Sequence, residues 1–346
     1  MSIVQVYNEW DPIEEIIVGS AKYARIPKED KGLETVQAAA EDVYKNIQIG
    51  EFPDWLIEET EEDIELFVQE LKKLNVIVRR PAPILFHEKF KTLDWEADNY
   101  FCYCPRDIML AFGDMIIESP NVMRSRYFET FSYKEMLIDF LRSGSKWISA
   151  PKPRLLDAIY NNSDPNYSAL NDLEPVFDAA NIVRAGRDLF YLVSDSGNEL
   201  GWQWLQTILG NDFKVHPCRN LYSSVHIDTT ICLLKPGLVL VNPARVNKDN
   251  LPSQLKKWDV LVAPEMVDFK YSDYNPMSSV WSGMNLLMLR PDLAVVDAHQ
   301  TALIALLEQN GIDTMPLKLR HGKVLGGGFH CITLDVRRTG PLENYF

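Results

Sequence analysis

Apolar residues recur along this chain first at helical and then at strand spacing, in a unit that appears five times. Each unit reads as an amphipathic helix, a one- or two-residue stop, a short β-branched run and a proline. The first begins at Thr60, where Thr60-x-x-Asp63 predicts a capping box, and Ile64, Phe67, Val68, Leu71 and Leu74 form one stripe. Asn75 stops it, Val76-Ile77-Val78 predicts a strand, and Pro81 ends that strand. The second runs from Tyr133 through Phe140 and Leu141 to Gly144, then Lys146-Trp147-Ile148 and Pro151. The third has Leu200, Trp204, Leu205 and Ile208, then Gly210, Phe213-Lys214-Val215 and Pro217. The fourth has Pro252, Leu255 and Trp258, then Val260-Leu261-Val262 and Pro264. In the fifth, Ala302, Leu303, Leu306 and Leu307 precede Asn310-Gly311 and a run from Ile312 to Pro316. Apolar runs at Asp188–Val193, Leu238–Val241 and Leu293–Val296 predict further strands between the units.

This alternation predicts an α/β protein, and two architectures satisfy it equally: a doubly wound sheet, or radial repetition of one supersecondary element. Either way each unit needs neighbours to bury its faces, which predicts one domain over residues 1–346.

Composition narrows the partners. Thirty-five Lys and Arg against 49 Asp and Glu give a net charge of -14, which disfavours nucleic acid and anionic membrane. Residues 1–11 hold no apolar core of secretory length, and no uninterrupted apolar run reaches membrane-spanning length. The five cysteines, at 102, 104, 218, 232 and 331, are odd in number and scattered, as expected of reduced thiols in a cytoplasmic protein.

The densest candidate chemistry lies in Gly326-Gly327-Gly328-Phe329-His330-Cys331-Ile332-Thr333. Three glycines allow close backbone approach and deliver one thiol, Cys331, onto a stretch that reads as a strand. In an extended segment His330 faces away from that thiol, so a base must come from elsewhere. The run Ser223–Ile231 also reads as a strand, placing His226 and Asp228 on one face, as acid-base work or cation binding requires. Asp178, within Phe177-Asp178-Ala179-Ala180, and Asp107, within Cys104-Pro105-Arg106-Asp107, sit among apolar residues and call for partners. Cys102-x-Cys104 lacks zinc-site spacing, and no phosphate-loop or His-Glu-x-x-His pattern occurs, so neither metal nor cofactor is expected.

These segments, together with Asn8-Glu9-Trp10-Asp11-Pro12, Ala150-Pro151-Lys152-Pro153-Arg154, Pro236–Pro243 and Met284-Asn285, resemble the arginine amidinotransferases over nearly the whole chain. Ser194–Gly201 and Val215-His216-Pro217-Cys218-Arg219 resemble the branch serving aminocyclitol antibiotic pathways rather than the one using glycine. The resemblance implies a fivefold pseudosymmetric α/β-propeller (the pentein fold) of ββαβ modules. It implies Cys331 as nucleophile, His226 as acid-base and Asp178 as the acid orienting it. It further implies Asp107 and Asp228 as the guanidinium grip, with Arg245, Ser278 and Ser279 at the amino-acid end of arginine.

The chemistry implied is transfer of the amidino group from L-arginine to an amine through an amidino-cysteine, with ornithine released and no cofactor or metal. The favoured acceptor is scyllo-inosamine 4-phosphate, with Arg124 or Arg126 facing its phosphate; other amines such as glycine, a hydrolytic deiminase reaction and a silent binding protein are the competitors. A homodimer is the family-level expectation. Asn181, in place of a frequent aspartate, and Ile332, after the nucleophile, depart from the family pattern.

Overall fold

The computed structural model describes residues 2–28, 30–39, 48–84, 88–160 and 170–346. Its five three-stranded sheets repeat one plan: two antiparallel strands, a crossover, and a third strand parallel to the second. In four of them the strands follow in chain order. These are Met109–Phe112, Met115–Glu118 and Lys146–Ser149; Ile182–Ala185, Asp188–Leu192 and Lys214–Cys218; Ile231–Lys235, Leu238–Val241 and Asp259–Val262; and Leu287–Arg290, Leu293–Asp297 and Asp313–Leu317. The remaining sheet joins the chain's two ends: Ile13–Val18 pairs antiparallel with Thr333–Arg338 and parallel with Ile77–Arg79. The protein is therefore a five-bladed α/β-propeller, closed by its first and last blade strands.

The burial gradient follows from this plan. First strands are almost wholly buried and line the axis, while third strands, such as Asp259–Val262, are half exposed at the rim. Crossover helices Asp54–Lys73, Lys134–Arg142, Glu199–Leu209 and Thr301–Gln309 lay their apolar stripes against the outer strands.

Three local expectations are corrected. The first helix starts at Asp54, not Thr60: Pro53 is already extended, and the Thr60 hydroxyl donates to the Leu56 carbonyl from inside the helix. The fourth unit has no full helix, only a single 3₁₀ turn at Leu255–Lys257, because too few residues separate Pro252 from the strand at Asp259. Pro217 and Pro316 lie within third strands rather than after them, which an edge strand with one unpaired side tolerates.

At the axis a buried ionic cluster ties blades together. Arg184, 1 % exposed, donates to both oxygens of Glu9 at 2.7 Å and to Asp335 at 2.9 and 3.0 Å. Asp335 also receives Arg106 at 2.7 Å and Arg338 at 2.6 Å. Burial would push the Asp335 carboxyl up, but the three guanidiniums hold it well below the usual carboxylate range. Removing one member strands the others. Arg184→Ala should lower the unfolding free energy by about 3–5 kcal/mol, read from the denaturant midpoint; a loss under ~1 kcal/mol would show that the cluster does not hold the blades.

Candidate active site

Each blade contributes a side chain from just before its axial strand. Cys331 precedes Thr333, Asp107 precedes Met109, Asp178 precedes Ile182, Asp228 precedes Ile231 and Asn285 precedes Leu287. With the exception of Asp178, these residues line one cavity of about 840 Å³, its open mouth included. His226, Arg126, Tyr222, Arg245, Ser278 and Ser279 share the lining.

Cys331 lies in a turn, not on the strand expected for it. The preceding helix Gly322–Leu325 ends at Gly326, whose φ of +86° reverses the chain. A Cβ at Gly327 would stand 2.7 Å from the Cys331 Cβ and 2.8 Å from the Cys104 sulfur, so only glycine lets this turn close. The Asn285 side-chain oxygen then accepts both the His330 and the Cys331 backbone N–H at 3.0 Å. His330 does not contact the thiol, yet not because the segment is extended: its Nδ1 faces Asp228 Oδ2 at 2.8 Å.

The strand expected at Ser223–Ile231 is likewise a series of turns up to Thr230. His226 interrupts extension with a left-handed φ of +59°. Its backbone N–H donates to Asn181 Oδ1 at 3.2 Å, so the residue that departs from the family pattern holds the histidine's loop. His226 and Asp228 both face the cavity even so. Nε2 of His226 meets Asp178 Oδ2 at 3.0 Å, and Nδ1 stands 3.8 Å from Asp107 Oδ1. Burial alone would depress the imidazole; Asp107, Asp178 and Asp228 outweigh it and raise its pKa to about 9. This charged state stabilises the fold fully below the ordinary value of 6.5 and is lost as pH rises through about 9.

The two remaining carboxylates are half satisfied. Asp107 Oδ2 receives Arg126 at 2.5 Å, and Asp228 Oδ2 receives both His330 and the Cys331 thiol, the latter at 3.4 Å. Their other oxygens, Oδ1 of Asp107 and Oδ1 of Asp228, are buried with no hydrogen-bond partner among the described residues. Against the pull of burial, His330 and His226 bring the pKa of Asp228 down to about 2. The thiol is pushed well above its ordinary range, first by burial and then by the charge of Asp228. The site thus holds negative charge around a neutral sulfur. Asp107, His226 and Cys331 bring one donor atom each within 4.8 Å of one another. The unpartnered oxygens of Asp107 and Asp228 accept N–H donors, which a planar organic cation supplies.

Arg245 also lines this cavity and lies 3.6 Å over the Tyr222 ring. Its guanidinium donates to Thr229 Oγ1 at 2.9 Å and Thr230 Oγ1 at 3.0 Å, and reaches Ser279 Oγ at 3.4 Å. Ser278 lines the same cavity. Arg124 and Arg126 are not placed to meet a phosphate. Arg126 is committed to Glu129 and Asp107, and Arg124 to the Leu155 carbonyl and Asp157. The Arg126-x-x-Glu129 spacing was the overlooked signal of that pairing.

No family model matches the chain. Among curated proteins, inosamine-phosphate amidinotransferase 1 of Streptomyces glaucescens is 55% identical over 346 residues, covering 100% of this chain and 99% of that one. Mitochondrial glycine amidinotransferase of Gallus gallus is 37% identical over 359 residues, covering 98% and 84%. The solved structure of an inosamine-phosphate amidinotransferase from Streptomyces griseus superposes with a TM-score of 0.96 at 53% identity, covering 100% and 99%.

Proposed function

The chain belongs to the amidinotransferase family, and from that membership we propose that it moves the amidino group of L-arginine onto the amine of scyllo-inosamine 4-phosphate, releasing L-ornithine. The observation that carries the reading is the pair of buried carboxylate oxygens, Oδ1 of Asp107 and Oδ1 of Asp228, that accept no hydrogen bond among the described residues, with the Cys331 thiol on the other oxygen of Asp228. Two such oxygens grip a guanidinium through charge-assisted hydrogen bonds and hold its central carbon against the sulfur. Arg245 and the Ser278-Ser279 pair, which line the same cavity, receive the amino-acid end of the donor.

The guanidinium takes Asp228 over from the thiol hydrogen, and the thiol yields that proton to solvent. The sulfur bonds to the guanidinium carbon, and the bond from that carbon to the ornithine nitrogen breaks. His226, held by Asp178 and raised to about 9, carries the proton that the leaving amine needs at neutral pH. Ornithine leaves an amidino group on Cys331. The acceptor amine attacks its carbon, gives its proton to the now neutral His226, and frees the sulfur. A proton held in place by a positioned group of this kind contributes about 10²–10⁴-fold in rate.

Identity of 55% to an inosamine-phosphate enzyme against 37% to a glycine enzyme supports the acceptor. The reading takes residues 1–346 as one unit, since the first blade is completed by the last strand. It places the protein in the cytoplasm, consistent with five buried free thiols; no helix among the described residues is long and apolar enough to cross a membrane. Incubation with labelled arginine and a panel of amines tests it. The expected products are ornithine and amidino-inosamine phosphate in equal amounts. Citrulline with ammonia would sink transfer in favour of hydrolysis, and a preference for glycine would sink the acceptor alone.

A further inference from the structure

Asp228 borders two cavities. One is the site described above; the other is a small cavity, of about 300 Å³ with its open mouth included, bordered by Glu9, Val183, Cys232, Met288 and His330. A carboxylate turns about a broad terminal torsion, so burial alone does not fix the plane in which its two equivalent oxygens lie. What decides it is the partner on Oδ2. His330 supplies that partner through Nδ1 at 2.8 Å, and its Nε2 stands 3.5 Å from Glu9 Oε2. Glu9 is itself locked by the two Arg184 hydrogen bonds, and the His330 backbone by Asn285. The imidazole is thus anchored at both ring nitrogens and along its main chain, and it is buried.

We propose that His330 is a positioning residue: braced by Glu9, it holds one oxygen of Asp228 and so fixes the carboxylate plane, leaving the other oxygen turned to the arginine guanidinium. The proposal rests on the donor-site reading above and assigns His330 no contact with substrate. It also explains why a histidine beside the nucleophile makes no bond to the sulfur.

The test compares alkylation of Cys331 by 2-chloroacetamidine, a cation with guanidinium-like N–H donors, and by neutral 2-chloroacetamide, which has the same leaving group. The ratio of the two rates measures the carboxylate grip without turnover. The unsubstituted protein should prefer the cation. His330→Ala should cut that preference about tenfold to a hundredfold, the worth of one hydrogen bond to an ionised group. His330→Asn places an amide nitrogen where Nδ1 stands and should restore most of it; His330→Gln, which mimics Nε2, should not. A folded His330→Ala that keeps the full preference overturns the proposal. Should the alanine variant fail to melt cooperatively, the asparagine and glutamine pair decides, and equal ratios in the two overturn it. Absence of cation preference in the unsubstituted protein would instead overturn the donor-site reading itself.

Discussion

Replacing Cys331 with alanine should abolish amidino transfer and every arginine-dependent mass gain on the peptide that carries position 331. The expected loss in kcat is on the order of 10⁵-fold or more, because removing the nucleophile leaves only binding and electrostatics to act. The fold should not notice. Cys331 faces the cavity, its turn is held by backbone bonds to Asn285, and its loss opens no new packing defect of methyl size elsewhere. Intact-mass spectrometry of donor-treated protein, with thermal unfolding as control, reads both effects. A Cys331→Ala protein that still trapped an amidino adduct would overturn the covalent route.

Asp228→Asn should move two measurements in opposite directions. The grip on the guanidinium loses a charged, desolvated partner, which costs about 2–5 kcal/mol, or roughly thirtyfold to several thousandfold in kcat/KM for arginine. The free thiol, by contrast, should become more acidic. Burial raises it first, and the Asp228 charge and hydrogen bond raise it further; asparagine removes the last two. A thiol whose pKa falls is ionised at lower pH, so iodoacetamide should alkylate the variant faster at neutral pH, with its pH profile shifted toward acid. Slower or unchanged alkylation would show that Asp228 does not hold the thiol in its protonated form. Turnover and reactivity diverge because the carboxylate keeps the sulfur neutral until the donor cation arrives.

The sequence made the repeating plan legible because hydrophobic spacing is a local property. Leu238–Val241 falls on its strand to the residue, and Asn75 and Gly210 sit at the helix ends that they announce. Turn geometry was not legible. The β-branched run around His226 reads as extended, but Arg245 draws Thr229 and Thr230 into a turn, and the histidine takes a left-handed backbone. Cys331 misled in the same way: its strand begins two residues later, since Asn285, 46 positions away, claims its backbone N–H. Cys331, Asp107 and Asp228 nonetheless reach one cavity, as each stands just ahead of an axial strand and a turn there still points inward. The partner of His330, Asp228, and one partner of Arg126, Asp107, lie on other segments, so local spacing does not reveal them.

Closure through Thr333–Arg338 also orders the making of the molecule. That strand is the last of the fifteen to leave the ribosome, and Cys331 emerges only just before it. A nascent chain therefore displays the acids and the histidine well before it owns the sulfur that takes the amidino group. Chemistry switches on with the final clasp, so a chain stalled short of it is inert by construction.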